Sequence, residues 1–270
     1  MNVAEWTYLA SRRFEAQGIE SPRLEAEMLA AHVLRVDRTW LFAHPEHEFN
    51  ELAGEVLAQR RELREPLAYI LGWREFYGRR FRVTPDTLIP RQETELLVEW
   101  ALEIPAERGL DIGTGTGCIA ITLQLERPKT AWTATDIEAR TVDVARENAA
   151  SLGAKIDWQQ TDLVAALPDQ SFDLVVSNPP YVGDHEPLMP EVGQFEPKRA
   201  LFSGPTGLEI YARLATEVPR VIRPEGVCLL ELGQGQAEPV RSLFEAAGWI
   251  HLETRLDYCQ IERVIGFRWP

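Results

Sequence analysis

The sequence predicts an α/β protein, an open, doubly wound and mainly parallel sheet that ends in an antiparallel hairpin and is preceded by a small helical bundle. Three observations lead there. Beyond residue 106, short apolar runs alternate with helix-like stretches, the pattern of strand–helix units whose crossovers cover both faces of a parallel sheet. The last two runs, 251–256 and 263–267, follow one another with no helix between them, so they should pair antiparallel. The first 72 residues show helical periodicity instead.

Taken in order, Val3, Trp6, Leu9 and Ala10 form one apolar stripe, and Leu24, Met28, Leu29, His32 and Val33 form a second. The second is entered through Ser21-Pro22, a cap residue followed by proline at the first helical position. A third helix is expected over 50–63 and a short fourth over 66–71, stopped by Gly72. Aromatic alternation around Gly78 (Phe76, Phe81, Val83) predicts a β-hairpin. Pro85 and Pro90 then lead into a helix over 92–103. The remaining strands are expected at 108–112, 132–136, 156–160, 172–177 and 227–232, with helices at 118–126, 141–152, 208–222 and 237–247.

Composition narrows the function. The 270 residues include no run of 18 apolar residues and no leader with a basic start and an apolar stretch, so neither a membrane span nor a secretory signal is expected. Cys118, Cys228 and Cys259 fit no disulfide framework or zinc spacing, and no metal site is expected; a reducing cytoplasm suits them. Net charge is −14, and only Lys129, Lys155 and Lys198 are lysines. The acidity is spread: residues 1–72 hold 8 basic and 12 acidic side chains, the remainder 20 and 30. That balance argues against a nucleic-acid backbone as the main partner, since phosphate neutralisation needs a basic face.

Leu110-Asp111-Ile112-Gly113-Thr114-Gly115-Thr116-Gly117-Cys118 lies where the first sheet strand turns into its helix. Glycines there let the backbone approach a ligand. Their Gly-x-Gly-x-Gly spacing differs from the Gly-x-Gly-x-x-Gly of dinucleotide sites, and Asp111 would set a carboxylate beside any pyrophosphate. An acid next to such a loop suits a ligand bearing an amino group, such as the methionine end of S-adenosyl-L-methionine. Asp136 ends the second strand, where it would accept from both ribose hydroxyls. Asp162 would accept from an adenine amino group, with Leu163 packed on the ring. Any one of these acids alone has a helix cap as its alternative reading, and for Asp162 alone the two readings weigh equally; together they describe one adenosyl pocket.

Asn178-Pro179-Pro180-Tyr181 follows the fourth strand directly. Two prolines stiffen the loop and remove N–H donors. The Asn178 side-chain oxygen and the Pro179 carbonyl can then accept from a planar –NH2 group while Tyr181 offers an aromatic face. An amide nitrogen is a poor nucleophile, so two acceptors on its N–H bonds and alignment of its lone pair are what a transfer needs. No general base is required; His185, the nearest histidine, reads as a loop residue.

With these residues in place, the chain resembles the bacterial peptide chain release factor glutamine methyltransferases, the PrmC/HemK family, over nearly its whole length. The resemblance is carried by Glu65-Pro66-Leu67-Ala68-Tyr69-Ile70 with Gly72 and Arg74-Glu75-Phe76, and by Leu88-Ile89-Pro90-Arg91-Gln92-Glu93-Thr94-Glu95. Phe195-Glu196-Pro197, Gly204 with Gly207-Leu208, and Glu262-Arg263-Val264 extend it. It implies a class I, Rossmann-like methyltransferase fold. Asp111, Gly113, Thr114, Gly115, Thr116, Gly117, Asp136, Asp162, Leu163 and Asn178 would hold S-adenosyl-L-methionine. Asn178, Pro179, Pro180 and Tyr181 would grip the substrate, with Arg91 lining or closing the site or forming a structural ion pair. The substrate implied is the Gly-Gly-Gln glutamine of class 1 release factors, methylated on its side-chain amide nitrogen (N5). The chain departs from the family pattern at Gln194, where an arginine is expected, and at Gln260 and Glu262, where glycine and aspartate are expected.

Rival readings remain. An adenine-N6 or other nucleic-acid amino methyltransferase fits the same four-residue loop but calls for a basic channel. A decayed binding protein conflicts with the intact acids, and a dehydrogenase with the loop spacing. The expected organisation is a substrate-docking helical domain at 1–72, a β-hairpin linker at 73–89 and the S-adenosylmethionine-dependent methyltransferase domain at 90–270. The expected partners are class 1 release factors met by a monomer, with no membrane and no direct nucleic-acid binding.

Overall fold

Asn2 starts the first helix by a reciprocal cap: its side chain accepts from the Glu5 N–H, and the Glu5 carboxylate accepts from the Asn2 N–H. The computed structural model describes residues Met1–Pro270, which divide into two compact units. One unit comprises Met1–Trp73 with Met189–Phe195, the other Arg74–Leu188 with Glu196–Pro270.

The first unit opens with α1 (Val3–Ala16), α2 (Pro22–Leu34), α3 (Arg38–Ala43), α4 (Glu51–Glu62) and α5 (Leu67–Leu71). Asn50 caps α4, and Gly72 ends α5 in the left-handed region at φ 79°. The six-residue α3, capped by Asp37, is too short to show a period in the sequence. Trp6, Phe14, Leu29 and Ile70 fill this unit's core. At its edge Arg61, nearly buried, pairs with Glu25 and with Glu191 of the 189–195 segment, and Arg64 adds a second contact to Glu191 at 2.7 Å.

The second unit begins at Arg74, within β1 (Trp73–Phe76), which is joined to β2 (Arg79–Arg82) through Tyr77 and Gly78 at φ 51° and 69°. Two left-handed residues in succession are what a two-residue hairpin turn requires. A 3₁₀ turn (Gln92–Thr94) runs into α6 (Glu95–Glu103), followed by β3 (Arg108–Ile112), α7 (Cys118–Glu126), β4 (Ala131–Asp136), α8 (Ala139–Leu152), β5 (Ile156–Gln160) and β6 (Phe172–Ser177). Then come β7 (Val182–Gly183), α9 (Pro190–Phe195), which is grouped with the first unit, α10 (Lys198–Leu201), β8 (Phe202–Gly204), α11 (Glu209–Val221), β9 (Ile222–Glu231), α12 (Ala237–Ala246), β10 (Ile250–Leu256) and β11 (Glu262–Arg268). No helix is long and apolar enough to cross a membrane.

Seven strands form one sheet in the order β10-β11-β9-β6-β3-β4-β5. β3, β4, β5, β6 and β9 pair parallel, and β11 runs antiparallel to both of its neighbours. The expected antiparallel pair is present. Beyond that expectation, β11 folds back between β9 and β10, so the last strand of the chain is an interior strand. Successive side chains face opposite sides of the sheet. Thus Val175, Cys228 and Leu230 pack with α11 and α12, while Leu174, Val176 and Leu229 pack with α6 and α7. Burial on both faces explains why these strands read as continuous apolar runs.

Candidate active site at the carboxyl edge of the sheet

Strand register sets the site. Ile112, Thr135, Ser177 and Leu230 share one row across β4, β3, β6 and β9. The next residue on each strand, Gly113, Asp136, Asn178 and Glu231, emerges at the carboxyl edge, where ligands of open α/β sheets bind. A cavity of about 350 Å³ opens there, lined by Gly113, Gly115, Asp136, Asp162, Leu163, Asn178 and Pro180, among others. That volume suits a small-molecule ligand. Asp86, Thr87 and Leu88 wall it on one side, and Pro197, Arg199, Ala200 and Phe202 contribute further lining.

The glycine loop is anchored by its own backbone. The N–H groups of Gly113 and Thr114 both donate to the Thr135 carbonyl at 2.9 Å. Gly113 and Gly115 hold φ of 72° and 58°, and a Cβ on either would meet no atom within 4 Å. The loop thus presents bare backbone to open space. Asp111 lies beneath it, fully buried, with Oδ2 accepting from the Thr114 hydroxyl at 2.6 Å and Oδ1 without a partner. Burial pushes this carboxyl up to about 7 despite the Thr114 bond. Asp136 receives the Gly115 and Glu138 N–H groups at 3.0 and 3.1 Å, and burial raises its pKa as well.

Other site residues have prior partners. Asp162 is held by both guanidinium nitrogens of Arg213 at 3.0 Å. Leu163 sits in the left-handed region at φ 45°, an uncommon backbone for a residue with a Cβ, on the cavity wall. Asn178 Nδ2 lies 3.3 Å from the Thr94 hydroxyl oxygen, and the Thr94 hydroxyl also favours the charged form of the buried Glu231 carboxylate. Pro179 is buried. Tyr181 is half-buried, its carbonyl accepts from Gln236 Nε2 at 2.9 Å, and burial raises its phenol pKa. Arg91 does not line the cavity. Its guanidinium bonds the buried Glu196 at 2.5 Å, and Glu196 also accepts from the Ile89 N–H at 3.1 Å. Of the two roles the sequence left open for Arg91, the ion pair is the one formed in this structure.

The structure therefore brings Gly113, Gly115, Asp136, Asp162, Leu163, Asn178 and Pro180 to one cavity, and sets Asp111, Thr114, Thr116, Gly117, Pro179 and Tyr181 behind or beside it. Sequence reasoning missed Glu196, Thr94, Glu231 and Asn148. Asn148 is buried and uses its whole amide: it accepts from the Arg82 N–H and donates to the carbonyls of Arg82 and Thr116. Glu231 carried a usable signal, for it is the last residue of its strand just as Asp136 is of β4.

Two family models match the sequence of this chain. Residues 92–192 match the Methyltransferase small domain, and residues 5–72 match the PrmC N-terminal domain. The release factor glutamine methyltransferase of Koribacter versatilis is 42% identical over 272 residues, 97% of this chain and 96% of its own. That of Bordetella pertussis is 44% identical over 254 residues, 91% and 94% of the two chains. The chain belongs to the release factor glutamine methyltransferase family. A solved methyltransferase from Pyrococcus furiosus superposes with a TM-score of 0.55 at 16% identity, covering 72% of this chain and 90% of its own, which shows the shared fold. As a member of the release factor glutamine methyltransferase family, the chain is an enzyme of the methyltransferase class, and the cavity at the glycine loop is where its chemistry is expected.

Proposed function

We propose that this enzyme transfers a methyl group from S-adenosyl-L-methionine to the side-chain amide nitrogen of the glutamine in the Gly-Gly-Gln motif of class 1 peptide chain release factors. The observation that carries the reading is the position of Asn178. It follows β6 on the same edge row as Gly113 and Asp136 and lines the same cavity, so an amide held there lies beside whatever the glycine loop holds.

The residues present fit the cofactor. Gly113 and Gly115 leave a cradle that any Cβ would project into. Asp136 has backbone N–H donors on both carboxylate oxygens and keeps lone pairs free for ribose hydroxyls. Asp111, with an unpartnered oxygen, would attract the ammonium end. Leu163 offers an apolar surface for the base, and Asp162 would receive the adenine amino group while it stays paired with Arg213. Thr114, Thr116 and Gly117 shape the loop from behind. When bound, S-adenosyl-L-methionine supplies a methyl carried on a positively charged sulfur.

The protein's own part is grip and alignment. Asn178 Oδ1 and the Pro179 carbonyl would accept the two N–H bonds of the glutamine amide, which turns its lone pair toward the methyl. Pro179 and Pro180 keep that pair of acceptors stiff, and Gln236 pins the loop through the Tyr181 carbonyl. Tyr181 would close one face of the planar amide. The nitrogen loses its proton once the new N–C bond has made it acidic, so water suffices as acceptor. We read residues 1–72 as a docking surface, supported by exposed Tyr8, Phe42, Leu52, Val56 and Leu63. We read residues 73–89 as the linker, and a reducing cytoplasm as the compartment in which three unpaired thiols persist.

The test is incubation with S-adenosyl-L-methionine and a class 1 release factor, followed by peptide mass spectrometry. One added methyl on the Gly-Gly-Gln glutamine, lost with Asn178→Ala, is the expected result. An unmodified glutamine with the folded enzyme would remove the proposal.

A further inference from the structure

Asn178 is the end of a short hydrogen-bond chain with a direction. Its Nδ2 lies 3.3 Å from Thr94 Oγ1, and the Thr94 hydroxyl faces the buried Glu231 carboxylate closely enough to favour its charged form. Thr94 and Glu231 are 2% and 1% exposed, so water does not compete for either. A hydroxyl has one proton, and an ionised carboxylate only accepts. With Glu231 charged, the Thr94 proton is committed to it, and Thr94 turns only lone pairs toward Asn178. The asparagine must then present its NH2 group to Thr94, which leaves Oδ1 on the other side. The flipped amide would face oxygen with oxygen inside the protein, disfavoured by roughly tenfold or more in population.

We propose that Thr94 and Glu231 are positioning residues that set the amide of Asn178 oxygen-outward, so that it meets the N–H of the substrate as an acceptor. This rests on the reading of Asn178 as the residue that grips the glutamine amide. A flipped Asn178 would set its own NH2 against the substrate's NH2 and could not hold it. The inference also gives the Arg91-Gln92-Glu93-Thr94 segment a purpose beyond the Arg91–Glu196 ion pair: it delivers Thr94 to the chain.

Glu231 is faced by Arg263 from β11, by Arg91 and Glu93 from the segment before α6, and by Tyr181, Tyr211 and Cys118. Burial outweighs the two arginines and lifts its carboxyl to about 7. A protonated Glu231 can donate to Thr94, which frees the Thr94 proton for Asn178 and lets the chain reverse.

The experiment compares Thr94→Val, Thr94→Ser, Glu231→Gln and Asn178→Ala in steady-state kinetics on intact release factor between about pH 5.5 and 8.5. Melting temperature and binding of S-adenosylhomocysteine are followed alongside. Thr94→Val, close in shape but without the hydroxyl, should lower kcat about tenfold or more, the effect of one directed hydrogen bond. Thr94→Ser should restore most of it, and S-adenosylhomocysteine should bind the Thr94 and Glu231 variants like the wild type. Wild-type kcat should fall as pH drops through about 7, and Glu231→Gln should lose that limb. A Thr94→Val enzyme with wild-type kcat, while Asn178→Ala is inactive, overturns the relay and spares the reading of Asn178. An active Asn178→Ala overturns both. Loss of kcat that only follows loss of folded protein, with no rescue by serine, reduces Thr94 to packing and overturns the proposal as well.

Discussion

Replacing Glu196 separates the contribution of one buried carboxylate to the cavity wall. Its side chain is 1% exposed; it accepts from the Ile89 N–H at 3.1 Å and from Arg91 at 2.5 Å. Glu196→Ala leaves the N–H of buried Ile89 without an acceptor, about 1–3 kcal/mol, and deletes a charge-assisted bond worth about 1.5–3 kcal/mol. Arg91 is 32% exposed and regains water, so the second contribution falls toward its lower limit. The expected cost is about 3–4 kcal/mol by urea unfolding. Glu196→Gln keeps an acceptor for Ile89 and loses only the charge, so about 1–2 kcal/mol is expected. Leu88 and Pro197, each next to one partner of these bonds, line the cavity, so binding of S-adenosylhomocysteine should weaken in the same order, measured by calorimetry. Equal costs for alanine and glutamine would show that the Ile89 bond contributes nothing. Unchanged ligand affinity in the alanine variant would refute its role in holding the wall.

Three further outcomes follow from the same structure. Gly113→Ala places a Cβ in open space at φ 72°, so it should cost only about 1–2 kcal/mol of stability yet reduce S-adenosylhomocysteine affinity at least tenfold, since the methyl projects where the ligand would lie. Arg61→Met strips two largely buried carboxylates, Glu25 and Glu191, of a shared partner; because Arg64 still holds Glu191, about 3 kcal/mol of lost stability is expected by urea denaturation. Asp111 titrates at about 7 when folded and near 4 when unfolded, so between these values the folded state holds the extra proton and stability must fall as pH rises. Ligand-free Asp111→Asn should therefore show a shallower decline from pH 4 to 7 in denaturant midpoints.

The elements were legible where chemistry repeats along the chain. Strands buried on both faces read as apolar runs, and glycines or prolines marked most of their ends, so β3 to β6 were placed within a residue. β9 was not, because Ile222 to Gly226 extend it through Pro224 and Glu225, a stretch that reads as a turn. The insertion of β11 between β9 and β10 is a matter of pairing partner, which periodicity along one strand does not encode. The 189–195 segment, grouped with the first unit, was hidden for a related reason: Glu191 is an ordinary acid until Arg61, 130 residues earlier, closes on it. Within the site, Gly113, Asp136 and Asn178 were visible because strand ends announce themselves. Arg213 on Asp162 and Glu196 on Arg91 join residues remote in sequence, and only the folded chain brings them together.

The central claim is that the nitrogen gripped at Asn178 belongs to a protein glutamine. Equal concentrations of release factor and adenine-containing DNA, offered together with methyl-labelled S-adenosyl-L-methionine, test it most directly. The account predicts label on the Gly-Gly-Gln glutamine alone, abolished by Asn178→Ala. Label on the adenine amino group, with the glutamine unmodified, would contradict it.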